Sequence, residues 1–277
     1  QATLNSWING RSEPRSKAIS QIEILYFSHV GKEDIDLETL QETSSEAMKQ
    51  VFPLKQIISD KESLDELIVQ FTYNTNSIEG STMTYDDTRE LLIENQPLAN
   101  KTIIEQFEAR NHQAAFLWLL DSLQSNTVDF TLGFLKDIHL RLMNGIRSDA
   151  GLFRTHAVRI KGSKTITANY ASIPTKLEEL FVQMNRVDIK REEVVSHIAK
   201  MHAEFEKIHP FADGNGRVGR LLLLELALKH KVMPPLVTRA KRNAYYSYLE
   251  QAQTKESYLG LEYFIGTSML DMAKILK

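Results

Sequence analysis

The stretch HPFADGNGRVGR, His209 to Arg220, gathers a histidine, a carboxylate, three glycines and two arginines into twelve residues. Each type suggests a task. His209 is a general base whose ordinary pKa lies near neutrality. Asp213 offers a hard oxygen ligand suited to Mg²⁺ beside phosphate. Gly214, Asn215 and Gly216 form a turn into a helix, where free N–H groups at the positive dipole end make an anion site. Arg217 and Arg220 fall in that helix's first turn, where a positive charge costs about 0.3–1 kcal/mol at the surface. A bound anion would relieve both. The bland alternative is a helix–loop–helix turn with glycines for geometry and solvated arginines. Base, metal ligand, anion loop and two cations in so short a span argue against it.

The glycines at 214, 216 and 219 also fit G-x-G-x-x-G, the dinucleotide fingerprint. That reading needs a strand before the glycines and an acid about 20 residues later. Here Val194, Ile198, Met201, Phe205 and Ile208 form one helical apolar stripe before the loop. After it, 218–228 is apolar nearly all round, as in a central buried helix. A Walker loop is absent too, because Gly162-Ser163-Lys164-Thr165 has the wrong order. The site is therefore expected between two helices.

Other elements follow from periodicity and caps. A helix is expected over 36–51. A stronger one begins at Ser63, with Leu64, Leu67, Ile68 and Phe71 on one face and Gly80 as its stop. Thr84 and Asp87 read as the cap of another, and long patterns cover 101–123 and 132–143. Residues 157–167, AVRIKGSKTIT, place β-branched residues on both sides of Lys-Gly-Ser-Lys and predict a short β-hairpin. Helices resume from Thr175 and again after Pro235. The fold class is all-α, with that one hairpin.

Bulk properties exclude more than they identify. The 277 residues carry a net charge of −3, so nothing suggests a nucleic-acid or anionic-membrane partner. With no cysteine, disulfides and thiolate chemistry are ruled out, which fits a cytoplasmic location. No apolar run approaches the ~20 residues that span a bilayer. His197 and His202, five apart, do not share a helix face and read as packing residues rather than metal ligands.

HPFADGNGRVGR resembles the defining motif of Fic-domain proteins, His-x-Phe-x-(Asp/Glu)-Gly-Asn-Gly-Arg-x-x-Arg, at every specified position. Asn111-His112, Gly151-Leu-Phe-Arg154 and the hairpin follow the family's order of features, so the resemblance runs roughly from 63 to 248. It implies a Fic-type helical bundle with a β-hairpin flap, over 61–277, behind an N-terminal helical extension over 1–60. It implies a protein adenylyltransferase moving AMP from ATP to a Ser, Thr or Tyr hydroxyl of a target protein. His209 would be the base and Asp213 the Mg²⁺ ligand. Gly214, Asn215, Gly216, Arg217 and Arg220 would hold phosphates, and Phe211 would anchor the loop. Lys161, Gly162, Ser163, Lys164 and Thr165 would form the flap that positions the target.

A second, shorter pattern lies upstream. Thr75-x-x-x-Glu79-Gly80 resembles the family's inhibitory motif, in a helix near 63–80. Glu79 closes that helix, where a carboxylate meets the negative dipole end and calls for a nearby cation. The resemblance supplies Arg220, whose pairing with Glu79 would obstruct the γ-phosphate. Asn243, Tyr245 and Tyr246 are candidates for an adenine pocket, although aromatic helix positions are more often core. Removal of AMP, transfer from another nucleotide, and a non-enzymatic nucleotide-binding regulator remain alternatives, and a homodimer stays open.

Overall fold

The computed structural model describes residues 35–124 and 129–276, together with positions 6 and 9. The extension expected over 1–60 thus lies outside the described residues up to 34. Among the described residues the regular structure is helical, with no strand.

The first helices are set by their caps. α1 (Leu37–Lys49) starts where Asp36 accepts a hydrogen bond from Thr39 N–H at 2.7 Å. After the short α2 (Leu54–Ser59), Asp60 caps α3 (Lys61–Glu79) by accepting from Ser63 N–H at 3.0 Å. Gly80 ends α3 at φ 108°, and Ser81 N–H reaches back to the Asn76 carbonyl at 3.0 Å. This is a Schellman stop, which glycine adopts without Cβ strain. It leaves Glu79 as the last helical residue. A reciprocal capping box of Thr84 and Asp87 opens α4 (Tyr85–Leu92).

α5 (Ile103–Gln124) and α6 (Leu132–Met143) pack together as a pair. Beyond an irregular segment come α7 (Ile173–Met184) and α8 (Val194–Ile208), then the glycine loop and α9 (Asn215–Lys229). α10 (Arg242–Lys255) and α11 (Leu259–Ile275) finish the bundle, α11 lying against α1. α9 is its axis, touching α3, α5, α6 and α8. Residues 217–228 are all buried, the charged Arg217, Arg220 and Glu225 included, as expected of a helix apolar nearly all round. α9 therefore cannot shift without disturbing four neighbours, and its N-terminus is held in place.

The hairpin expected over 157–167 is not a paired ladder. The segment does fold back at Lys161 and Gly162, where Ser163 N–H donates to the Ile160 carbonyl at 3.2 Å and Gly162 has φ 78°. Side chains take up the groups that cross-strand bonds would use. Thr165 N–H donates to Ser163 Oγ at 3.1 Å, Lys164 N–H to Glu250 Oε2 at 2.9 Å, and Thr167 Oγ1 to the Val158 carbonyl at 2.8 Å. Local side-chain bonds compete effectively with a two-stranded ribbon, which is marginal by itself.

Candidate active site

The loop between α8 and α9 is built from the inside out. Phe211 is fully buried and stacks face to face on His139 of α6, with centroids 3.7 Å apart and planes within 5°. His139 Nδ1 accepts from Gly151 N–H at 2.8 Å, and its Nε2 donates to the Asp213 carbonyl at 3.1 Å. Burial lowers its pKa to about 4, so the ring is neutral, in the tautomer this pairing needs. Asn215 brackets the turn: its Oδ1 accepts from Phe211 N–H and its Nδ2 donates to the Phe211 carbonyl, both at 2.9 Å. Its side chain thus shapes the loop rather than facing a ligand.

His209 caps α8 in the left-handed region, φ 51°, a rare conformation for a residue with a side chain. What holds it there is Arg154, a buried guanidinium. Its Nε donates to the His209 carbonyl at 2.8 Å and its Nη2 to the carbonyls of Ala168 at 2.6 Å and Ile208 at 3.3 Å. One side chain thereby ties the segment from His156 to Ala168 to the His209 turn. His209 Nδ1–H donates to the Glu206 carbonyl at 3.2 Å, which leaves the Nε2 lone pair free to take a proton. Burial pushes its pKa down to about 4, partly offset by that hydrogen bond.

α9 starts at Gly214, φ 78°, with no side-chain cap, so the first N–H groups of the helix have no acceptor within it. Arg217 and Arg220, read as first-turn cations, are both buried, and each is met by a carboxylate from another helix. Arg217 Nη1 donates to Glu108 Oε1 of α5 at 2.7 Å. Arg220 Nη2 donates to Glu79 Oε1 at 2.5 Å, its Nε donates to Thr75 Oγ1 at 2.6 Å, and its Nη1 has no partner. Burial is the largest single influence on Arg220 and opposes its charge, but Glu79, Tyr245 and Tyr246 together more than offset it and the pKa is raised. Glu79 fits so closely because position 216 is glycine: a Cβ there would overlap Glu79 Oε1.

Asp213 keeps its side chain 58% exposed, with Oδ1 accepting from Gly214 N–H at 2.7 Å. No group of three or more metal-binding side chains occurs among the described residues. One outward carboxylate suits a hard cation that takes its other ligands from phosphate and water. Lys161 and Gly162 lie exposed at the flap tip, while Thr165 is buried and donates to Gln253 Oε1 of α10 at 2.8 Å.

Of the adenine candidates, Tyr245 and Tyr246 have rings in contact, with centroids 5.1 Å apart, but the three differ in burial. Asn243 is exposed, Tyr246 half-buried, and Tyr245 a core residue at 2.7 Å from His202 Nε2. Sequence reasoning missed Glu108, His139 and Glu206, and it noted Arg154 without a role. Only a polar residue on an otherwise apolar helix face signals them. Cavity size would mislead: a space of about 1190 Å³ bordered by Phe52, Leu54, Glu225 and Lys229 contains none of the motif.

The described residues form a helical bundle whose axial helix presents its N-terminus beside a histidine turn. Residues 129–227 match the Fic/DOC family model. The chain is 28% identical over 200 residues to "Protein adenylyltransferase Fic" of Nematostella vectensis, covering 69% of this chain and 45% of that protein. It is 30% identical to the protein of the same name in Culex quinquefasciatus, covering 69% and 38%. This chain thus spans less than half the length of those relatives. Among solved structures, Fic-1 (residues 134–508) of C. elegans superposes with a TM-score of 0.71 at 21% identity, covering 94% of this chain and 72% of that one. A Fic-domain signalling protein of Bacteroides thetaiotaomicron reaches 0.71 at 19% identity, covering 86% and 97%. Over residues 129–227 the chain is thus similar to the Fic/DOC family, and its fold is that of the solved Fic-domain structures.

Proposed function

We propose that this chain is a protein adenylyltransferase that moves AMP from ATP to a hydroxyl side chain of a target protein, and that Glu79 restrains it. The observation that carries the reading is the juxtaposition of a free His209 Nε2 with an uncapped helix N-terminus and two buried arginines. The relatives named adenylyltransferases support it. Residues 61–277 form the working unit in this reading, with α3 as its inhibitory helix.

His209 takes the proton of the target hydroxyl on Nε2. The hydroxyl oxygen attacks the α-phosphorus, the bond to pyrophosphate breaks, and pyrophosphate leaves opposite the incoming oxygen. The N–H groups of Gly216 and its neighbours, with Arg217 and Arg220, stabilise the charge that builds up on phosphate oxygens. Asp213 would hold Mg²⁺, which would supply further neutralisation of that charge. The flap, pinned to α10 by Thr165 and to the catalytic turn through Arg154, aligns an extended target segment along its exposed arm.

Glu79 occupies Arg220 in the manner of a phosphate oxygen. ATP then meets one fewer free cation, and its α-phosphate is set out of line with the hydroxyl. Incubation with α-labelled ATP and Mg²⁺, using the native chain, Glu79→Gly, and Glu79→Gly with His209→Ala, tests the whole reading. Label on protein is expected with Glu79→Gly alone. ATP binding without label in every version would leave a nucleotide-binding regulator. Loss of AMP from a pre-modified target, dependent on Glu79, would favour the reverse reaction.

A further inference from the structure

Glu206 lies one turn before His209 on α8, 4% exposed, in a position the motif does not describe. Its main-chain oxygen accepts Nδ1–H of His209, and its Oε2 faces the same nitrogen at 3.8 Å. Its Oε1 has no hydrogen-bond partner. The carboxyl fits against α9 because residue 219 is glycine, where a Cβ would run into Oε1. A buried carboxyl with a spare oxygen, seated in a notch made for it, is costly unless it has a use.

We propose that Glu206 is a positioning residue for His209: it fixes the ring through its main-chain oxygen and supplies the counter-charge for the imidazolium through its carboxylate. This rests on the transferase reading above. The physical need is plain, because an imidazole held at about 4 is a weak base at neutral pH, and a base poised near the working pH is more effective. The charges facing His209 are Arg154, which works against the imidazolium, and Glu79 and Asp213, which favour it. Among the described residues, only Glu206 lies within ion-pair reach of the ring.

The groups facing Glu206 explain how it acts. Burial raises its pKa to about 8, Arg220 of α9 opposes that rise, and Glu79 of α3 adds to it. Arg220 is taken by Glu79 and Thr75, His202 stands neutral on the same helix, and Tyr245 of α10 is uncharged. Glu206 is therefore a neutral acid in the resting site and ionises as pH rises through about 8. Its proton passes to solvent, and the carboxylate left behind strengthens His209. The target hydroxyl proton then goes to Nε2, giving an imidazolium paired with a carboxylate instead of an isolated buried charge.

Two readouts test this: transfer in the Glu79→Gly chain, where loss of Glu79 moves the Glu206 titration below about 8, and titration of His209 in the chain that keeps Glu79. Transfer followed from pH 6.5 to 9 is expected to climb along a limb that Glu206→Gln removes, with a rate about tenfold lower at the alkaline end and unchanged ATP affinity, about one pKa unit of base strength. Gly219→Ala, which displaces the carboxyl without removing it, is expected to lose the same limb. Independently of activity, the ¹⁵N shifts of His209 are expected to show a second titration step between pH 7 and 9, absent from Glu206→Gln. Identical pH profiles, or no such step in the chain that retains Glu206, would overturn the proposal. A titration step without any transfer would sink the transferase reading and leave the positioning role intact.

Discussion

Arg220 is bound at one nitrogen by Glu79, at another by Thr75, and at the third by nothing. That spare Nη1 and the solvent-facing side of Glu79, 35% exposed, mark a pair that can open without unfolding its surroundings. A charge-assisted hydrogen bond is worth about 1.5–3 kcal/mol, so Glu79→Gly is expected to raise AMP transfer by roughly 10- to 100-fold, read from label incorporation. No rise would remove Glu79 from the control of this site. In that activated chain, His209→Ala is expected to lower the rate by about 10²–10⁴, the usual worth of a general base, while leaving ATP binding in place. Arg217 differs, since Glu108 holds it more deeply. Glu108→Ala strands a buried guanidinium and is expected to cost about 1–3 kcal/mol in denaturant unfolding.

At the scale of elements, Glu79 reaches Arg220 because α3 ends where it does. Asp60 fixes the start of that helix, and Gly80 fixes its end at φ 108° with open space around its missing Cβ. A side chain there meets backbone strain and no clash. Gly80→Ala is expected to lower stability by about 1–2 kcal/mol and to loosen Glu79, giving partial activation smaller than that of Glu79→Gly. Thr84→Ala, at the capping box of α4, serves as the contrast. It is expected to cost about 1 kcal/mol of stability and leave transfer unchanged, as it touches neither α3's end nor α9.

Across the whole molecule, the buried titratable groups set a pH optimum for stability. Burial lowers His112 and His202 to about 3 and His139, His197 and His209 to about 4. The unfolded chain takes up those protons near 6.5, so this contribution is complete above about 6.5 and is lost as pH falls toward 4. Burial raises Glu206 and Glu225 to about 8. Their contribution has the opposite sign: complete below the unfolded value near 4.5, it is lost as pH rises through 8. Melting temperature is expected to peak near pH 6–7 and decline on both sides, and Glu225→Gln should flatten the alkaline side. A plateau from pH 5 to 9 would contradict these burial effects.

Much was readable along the chain because it depends on neighbours in sequence. The helix stop at Gly80 and the start at Thr84 follow from backbone preference and local side-chain hydrogen bonds, and the α9 core follows from a run that is apolar nearly all round. The twelve-residue motif is legible for the same reason, its base, acid and arginines being held by one turn. Thr165 and Thr167, by contrast, suggested a strand by composition; Thr165 instead bonds to Ser163 and to Gln253 on a distant helix, and Thr167 bonds through its hydroxyl to the Val158 carbonyl. Tyr245 looked like a pocket residue and became core, because burial depends on what packs from α8. Glu108, His139, Arg154 and Glu206 carry no sequence mark of their use. Their partners lie on other helices or depend on the packing of a notch, and such pairings exist only after the bundle has closed. The local chain therefore specifies which groups can do chemistry, while packing around α9 specifies which of them meet, which stay neutral, and which cation is already taken.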